Sequence, residues 1–304
     1  MTNKEALQEL KEISLRLHEI DYDYIINLLK GSIIKIPLPL AKLHKDALID
    51  RARLNEGNSL YTNVDQLSYI KNQETIDKYL TEFGRANKPF EPKFYGALTS
   101  TRLDKQRITA IAETSKLFQD KNGINLDGEL YTVSRWKNSS ELMVVEVVFS
   151  SEAIKVNPDI KRSFEKQTKL AKDAGFDDLE FYADFLIFIS EQFARETKSH
   201  NDYKIAAAYT ELALQHPKVK GVMFPSVQTK YMGANIVFPP TVVDENLEIL
   251  SAITQKLYKN PKKTLIANHK ECLNVKENPN KLEWRYTQIE YLTKDEEIKE
   301  YFKS

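Results

Sequence analysis

Apolar residues at Leu7, Leu10, Ile13, Leu15, Leu17 and Ile20, then Ile25, Ile26, Leu28 and Leu29, recur at spacings close to three and four. This spacing predicts an amphipathic helix or a pair of helices over residues 4–30, stopped by Gly31. The following Ser32-Ile-Ile-Lys-Ile-Pro-Leu-Pro-Leu40 carries two prolines that forbid a continuing helix, so it reads as an extended connector with a boundary near residue 45. Further on, Thr109 to Phe118 reads as a helix, Glu129-Leu-Tyr-Thr-Val-Ser134 alternates as a strand, and Glu141 to Phe149 is a β-rich apolar run. Residues 160–215 are helical in character: Phe181, Phe185 and Phe188 share one face as core, and Ala206 to Leu214 is rich in strong helix formers. Val219 to Phe224 and Asn235 to Phe238 suggest two strands around a turn. A further helix is expected over Asn246 to Tyr258, and a terminal hairpin from Leu265–Val275 and Leu282–Ile289. The pattern divides the chain into an N-terminal helical extension (1–45), a main domain (46–260) with a helical insertion at about 151–215, and a C-terminal extension (261–304) packed on the same domain.

Composition narrows the class. The 304 residues, 41% of them hydrophobic, supply enough material for a packed core in one large domain or two small ones. Forty-four Lys and Arg against 44 Asp and Glu give no basic surplus, which argues against a nucleic-acid partner. The start of the chain mixes charges into its apolar residues, so a cleaved secretory leader is not expected. The longest apolar runs fall far short of the roughly 20 residues needed to cross a bilayer, so no membrane partner is expected. Cys272 is the one cysteine, which leaves no internal disulfide and fits a cytoplasmic location.

Several chemistries drop out on spacing. No three of the nine glycines fit G-x-G-x-x-G, and Gly123 and Gly128 are followed by Glu129-Leu130 where a phosphate loop needs Lys and Ser or Thr. The five histidines never pair at i, i+4, so a zincin-type zinc site is not expected. Ser226 follows Pro225 and lacks the glycines of a nucleophile elbow.

Three stretches combine turn-forming, polar and charged residues beyond what plain strands require: Asp50-Arg-Ala-Arg53, Phe83 to Gly96, and Val222 to Pro240. In order along the chain stand Arg51-Ala-Arg53, Gly84-Arg-Ala-Asn87, Phe94-Tyr-Gly-Ala with Tyr95, then, between the second and third stretches, Ala110-Ile-Ala-Glu113, and finally Pro225-Ser226, Gly233-Ala-Asn235 and Pro239-Pro240. In this order the chain resembles the RES-domain proteins, a family named for an Arg, a Glu and a Ser, with members that act as bacterial toxins by destroying NAD. The resemblance covers roughly residues 47–245. This chain differs from the compact members by its N-terminal helices, its insertion, its C-terminal extension and a longer loop from Leu98 to Arg107.

The resemblance implies an α+β fold similar to the ADP-ribosyltransferases, with a bent, split β-sheet and an NAD cleft between its halves. NAD would be the substrate, cleaved at the nicotinamide N-glycosidic bond with water or phosphate as acceptor, and no metal would take part. Arg85 with Arg51 or Arg53 suits the pyrophosphate, because a guanidinium matches phosphate oxygens bidentately. Glu113 is the carboxylate the resemblance supports for stabilising positive charge on the ribose. Tyr95 would stack on the nicotinamide while its hydroxyl orients a neighbour, and Ser226 would fix the amide or ribose. Asn87 reads equally as a ligand or as a turn former. Transfer of ADP-ribose to a macromolecule, and a nucleotide-sensing module without turnover, stay open as alternatives. So do an antitoxin or other protein partner and self-association into a homo-oligomer.

Overall fold

The computed structural model describes residues 1–33, 35–100, 102–103, 105–287 and 295–303. Among the described residues, ten strands form one open sheet: β1 (Leu40–Leu43), β2 (Leu48–Leu54), β3 (Phe94–Leu98), β4 (Asn125–Asn138), β5 (Leu142–Glu146), β6 (Gly221–Pro225), β7 (Ala234–Phe238), β8 (Leu247–Lys259), β9 (Thr264–Cys272) and β10 (Trp284–Tyr286). Their order is β1-β5-β6-β7-β3-β2-β4-β8-β9-β10. Every neighbouring pair is antiparallel except β5 and β6. The mixed α+β class read from the sequence is thus the observed one.

The helices are α1 (Asn3–Ile13), α2 (Tyr22–Asn27), α3 (Gln73–Tyr79), α4 (Gln106–Thr114), α5 (Lys116–Gln119), α6 (Ser151–Val156), α7 (Pro158–Asp173), α8 (Leu179–Ala194), α9 (Lys204–Gln215), α10 (Pro240–Asn246) and α11 (Asp295–Lys303). The stretch read as a helical insertion has a topological reason. Two adjacent parallel strands cannot be joined by a hairpin, so the chain must cross over between β5 and β6, and α6 to α9 make that crossover. Phe181, Phe185 and Phe188 are buried on α8, in the same core cluster as Leu10, Ile25 and Leu29 from the N-terminal helices and Val145, Val222 and Val237 from the sheet. The N-terminal segment therefore shares its core with the crossover. The Lys204 ammonium on α9 donates to the Leu17 and Ile20 carbonyls, and β1 pairs with β5, so the boundary expected near residue 45 falls between two strands of one sheet.

Two expectations about elements change. The helix expected over Asn246–Tyr258 is instead the strand β8, hydrogen-bonded to β4 on one side and β9 on the other. Both of its faces carry apolar residues, and the ladders slip at Arg135/Trp136 and Thr254/Gln255, which removes the period-two signature. The long partners on either side override helix propensity there. The single helix expected over Thr109–Phe118 is two, α4 and α5, because Ser115 adopts an extended conformation and its hydroxyl accepts from the Phe118 N–H as an N-cap. The terminal hairpin is present as β9 and β10; the expected continuation to Ile289 lies outside the described residues.

One seam in the sheet is thin. β2 pairs with β4 over seven residues but with β3 only at Ile49↔Leu98 and Asp50↔Ala97. Helix α4 packs its Ala110 and Ile111 against Ala52 and Ala97 beside this seam.

Candidate active site

Beyond Asp50 the β2–β3 ladder stops, and a cavity of about 900 Å³ opens there. Asp50, Arg51, Ala52, Arg53 and Leu54 all line it. A strand flanked on both sides offers only alternate residues to one face, so five consecutive lining residues mean that the cavity reaches the freed edge of β2. The Arg51 guanidinium sits at that edge. It donates to the Tyr95 carbonyl of β3 at 2.7 Å and lies 5.0 Å from the Phe94 ring.

The arginines share one manner of support. Arg53 donates to the Gln66 and Ser68 carbonyls and stands 5.8 Å from the Tyr61 ring. Arg85 donates to the Phe193 and Arg195 carbonyls at the end of α8, where a helix leaves acceptors unsatisfied, and lies 5.2 Å from Tyr203. Among the described residues, no carboxylate pairs with Arg51, Arg53 or Arg85. The buried Nε of Arg51 has no partner at all. Burial, with Arg53 alongside, lowers the Arg51 pKa to about 9, which still leaves the group charged at neutral pH. Asp50, the carboxylate nearest in sequence, is held by Arg135 through two bonds of 2.7 and 2.8 Å.

Glu113 stands on the last turn of α4 and lines the same cavity. Asn235 on β7 donates to its Oε1 at 3.1 Å and is itself 6% exposed, which fixes the carboxylate's direction. Tyr95 also lines the cavity, but its hydroxyl is engaged: it donates to Asn87 Oδ1 at 2.6 Å and accepts from the Ala86 N–H at 3.0 Å. Burial pushes its pKa up, so it stays a neutral phenol. These bonds close the turn that presents Arg85, together with Gly84 N–H donating to the Asn87 carbonyl. Gly84 is required in this turn because a Cβ there would collide with Asn87 Oδ1.

Five expected site residues, Arg51, Arg53, Arg85, Tyr95 and Glu113, thus line one cavity, and two do not. Asn87 is buried behind Tyr95 as a turn former, with its Nδ2 on the Lys88 carbonyl. Ser226 is fully buried, and its hydroxyl accepts from the Thr229 N–H. It closes the turn that carries Val227 and Gln228 into the cavity wall. Ser226 therefore stands outside the lining of the cavity: a serine following a strand end satisfies the turn's backbone first. No family model matches the chain, and no match to a curated protein was found.

Tyr61, Arg195, Glu196, Thr197 and Tyr203 line the cavity without any local sequence signal, whereas Asn235, within the Gly233-Ala-Asn235 motif, carries one. The residues from 195 to 203 belong to the crossover, so that connection supplies one wall of the cavity. Among the described residues, no group of three His, Cys, Asp or Glu could hold a metal ion, and no helix is long and apolar enough to cross a membrane.

The Tyr95 hydroxyl gives a direct test of how Arg85 is held. Tyr95→Phe leaves the Ala86 N–H and Asn87 Oδ1 without their partner, which is expected to lower stability by about 1–3 kcal/mol. Urea unfolding of the variant against the unaltered chain reads the loss.

Proposed function

We propose that this chain cleaves the nicotinamide N-glycosidic bond of NAD, as an enzyme of RES-domain type on an ADP-ribosyltransferase-like fold. The observation that carries the reading is the set of three guanidinium groups held by carbonyls and rings, unneutralised by carboxylates, around a cavity that also carries Glu113. Such a set favours a ligand bearing two adjacent negative charges, as a pyrophosphate does. A sheet that thins to two residue pairs at the cavity supports the split-sheet reading.

In this mechanism the arginines bind the pyrophosphate and place the nicotinamide riboside within reach of Glu113. The bond between C1′ and the nicotinamide nitrogen breaks, the electron pair leaves with the nicotinamide, and C1′ gains oxocarbenium character. The Glu113 carboxylate, aimed by Asn235, stabilises that positive charge more in the transition state than in the ground state. Water then adds to C1′ and loses a proton to solvent, or an anionic oxygen of inorganic phosphate adds to C1′ directly. Tyr95 acts through Arg85 as a positioning residue.

The deciding experiment is nicotinamide release from NAD by the purified chain, with and without inorganic phosphate. Release that requires phosphate makes it a phosphorylase, and release without phosphate makes it a hydrolase. Label from adenylate-labelled NAD that appears on macromolecules of a lysate assigns ADP-ribosyl transfer. A folded protein that binds NAD and neither releases nicotinamide nor transfers label overturns the enzymatic reading in favour of a nucleotide-sensing module.

A further inference from the structure

Lys204, the first residue of α9, is 8% exposed and stands outside the lining of the cavity. Its Nζ donates to the Leu17 carbonyl at 3.0 Å and to the Ile20 carbonyl at 2.6 Å, both in the N-terminal segment, and lies 5.8 Å from the Phe83 ring. Burial lowers its pKa, with Asp21 acting in the opposite sense. Taking a cation out of water carries a large penalty, which two carbonyls and a ring offset only in part. A methionine would fill this place without that penalty, so packing alone gives no reason for a charge here.

The groups that the ammonium joins supply one. Phe83 immediately precedes the Gly84-Arg85 turn, and its ring meets Tyr22 of α2 at 5.1 Å and stacks on His200 of the crossover at 6.1 Å. Tyr203 immediately precedes Lys204, and its ring lies 5.2 Å from the Arg85 guanidinium. Arg85 belongs to one segment and takes its acceptors, the Phe193 and Arg195 carbonyls, from another. It keeps one direction only while those two segments keep their relative placement. Lys204 reaches both and ties them to the N-terminal segment. Arg195 adds a parallel tie: its carbonyl accepts from Arg85, and its guanidinium donates to the Ser14 carbonyl at the end of α1 at 3.1 Å. Carbonyls of Ser14, Leu17 and Ile20 thus hold the two cations that flank the cavity wall at 195–203.

We propose that Lys204 is a positioning residue for Arg85 and that, through the Leu17 and Ile20 carbonyls, it makes the N-terminal segment part of the anion site. A guanidinium whose direction is fixed before the ligand arrives loses less freedom on binding, so this relay strengthens anion binding without touching the anion. Its role in NAD turnover rests on the cleavage reading; its effect on pyrophosphate binding does not. Arg85 holds the pyrophosphate alike before and during bond cleavage, so loss of the relay raises KM for NAD and leaves kcat unchanged.

The test uses the full chain with inorganic pyrophosphate as calorimetric probe, in Lys204→Met, Lys204→Arg, Arg85→Ala and the double variant Lys204→Met with Arg85→Ala. Lys204→Met is expected to weaken pyrophosphate binding by about tenfold, and Lys204→Arg, which keeps a cation for the two carbonyls, to restore it to within about threefold. With Arg85 already removed, Lys204→Met should have no further effect, because the two residues act in one path. In nicotinamide release, Lys204→Met should raise KM by about tenfold with kcat within about threefold. Unchanged pyrophosphate affinity in a folded Lys204→Met chain, an equal loss in the Arg85→Ala background, or a fall in kcat at constant KM overturns the relay. Should Lys204→Met not fold, Phe83→Leu removes the ring and leaves both carbonyl bonds; it is expected to weaken pyrophosphate by at least about threefold only where Arg85 is present, and an unchanged affinity overturns the relay. Pyrophosphate binding that depends on Lys204 and Arg85 without nicotinamide release keeps the relay and removes the cleavage reading. Nicotinamide release whose KM is unmoved by Lys204→Met does the reverse.

Discussion

Glu113→Gln is expected to lower kcat for nicotinamide release by about a thousandfold while leaving KM for NAD within about threefold. The substitution keeps the size of the side chain and a carbonyl oxygen that can still accept from Asn235 Nδ2, so the geometry of α4 and β7 is preserved. What it removes is a full negative charge beside the developing oxocarbenium ion. That charge contributes little to ground-state binding, which depends on the arginines and the pyrophosphate, so the loss falls on kcat. Single-turnover measurement of nicotinamide release checks the effect on the chemical step. A variant that keeps its rate within about tenfold of the unaltered chain removes Glu113 from the mechanism.

The residues that were legible in the sequence are those whose chemistry and local pattern coincide. Arg51 and Arg53 sit in a strand where solvated lysine or threonine would serve as well, and Glu113 ends a helix whose other face is alanine and isoleucine. The periodic phenylalanines of α8 mark a core helix because burial on one helical face imposes that spacing. The strand β8 was not legible, since a strand hydrogen-bonded on both sides and apolar on both faces carries no alternation to read. Ser226 shows the limit from the other direction. A serine that closes a buried turn and one that contacts a ligand have the same letter, and only the Thr229 N–H separates them. The contributions of Arg195, Thr197 and Tyr203 depend on how the crossover returns to β6, a long-range placement without a local signature.

Arg51→Met is expected to raise the stability of the ligand-free chain while weakening ADP-ribose binding by about a hundredfold or more. The favourable contacts of Arg51 are one hydrogen bond to the Tyr95 carbonyl and one ring contact with Phe94. Together these contribute about 1–3 kcal/mol. Against them stands the desolvation of a cation with no carboxylate partner and an unpaired Nε, a penalty of several kcal/mol. The sign follows from the lowered pKa. The folded chain binds the Arg51 proton less tightly than the unfolded chain, so the penalty is fully present below about pH 9 and is relieved as pH rises above it. A methionine fills similar length without charge and adapts to the space beside Phe94. Thermal melting of the ligand-free protein should therefore shift upward by a few degrees at pH 7. The ligand reverses the balance. A pyrophosphate supplies the missing counter-charge, so ADP-ribose should raise the melting temperature of the unaltered chain far more than that of the variant, and the difference should shrink with added salt. A fall in ligand-free stability together with unchanged ADP-ribose affinity would mean that Arg51 is a structural staple between β2 and β3 and that the anion lies elsewhere.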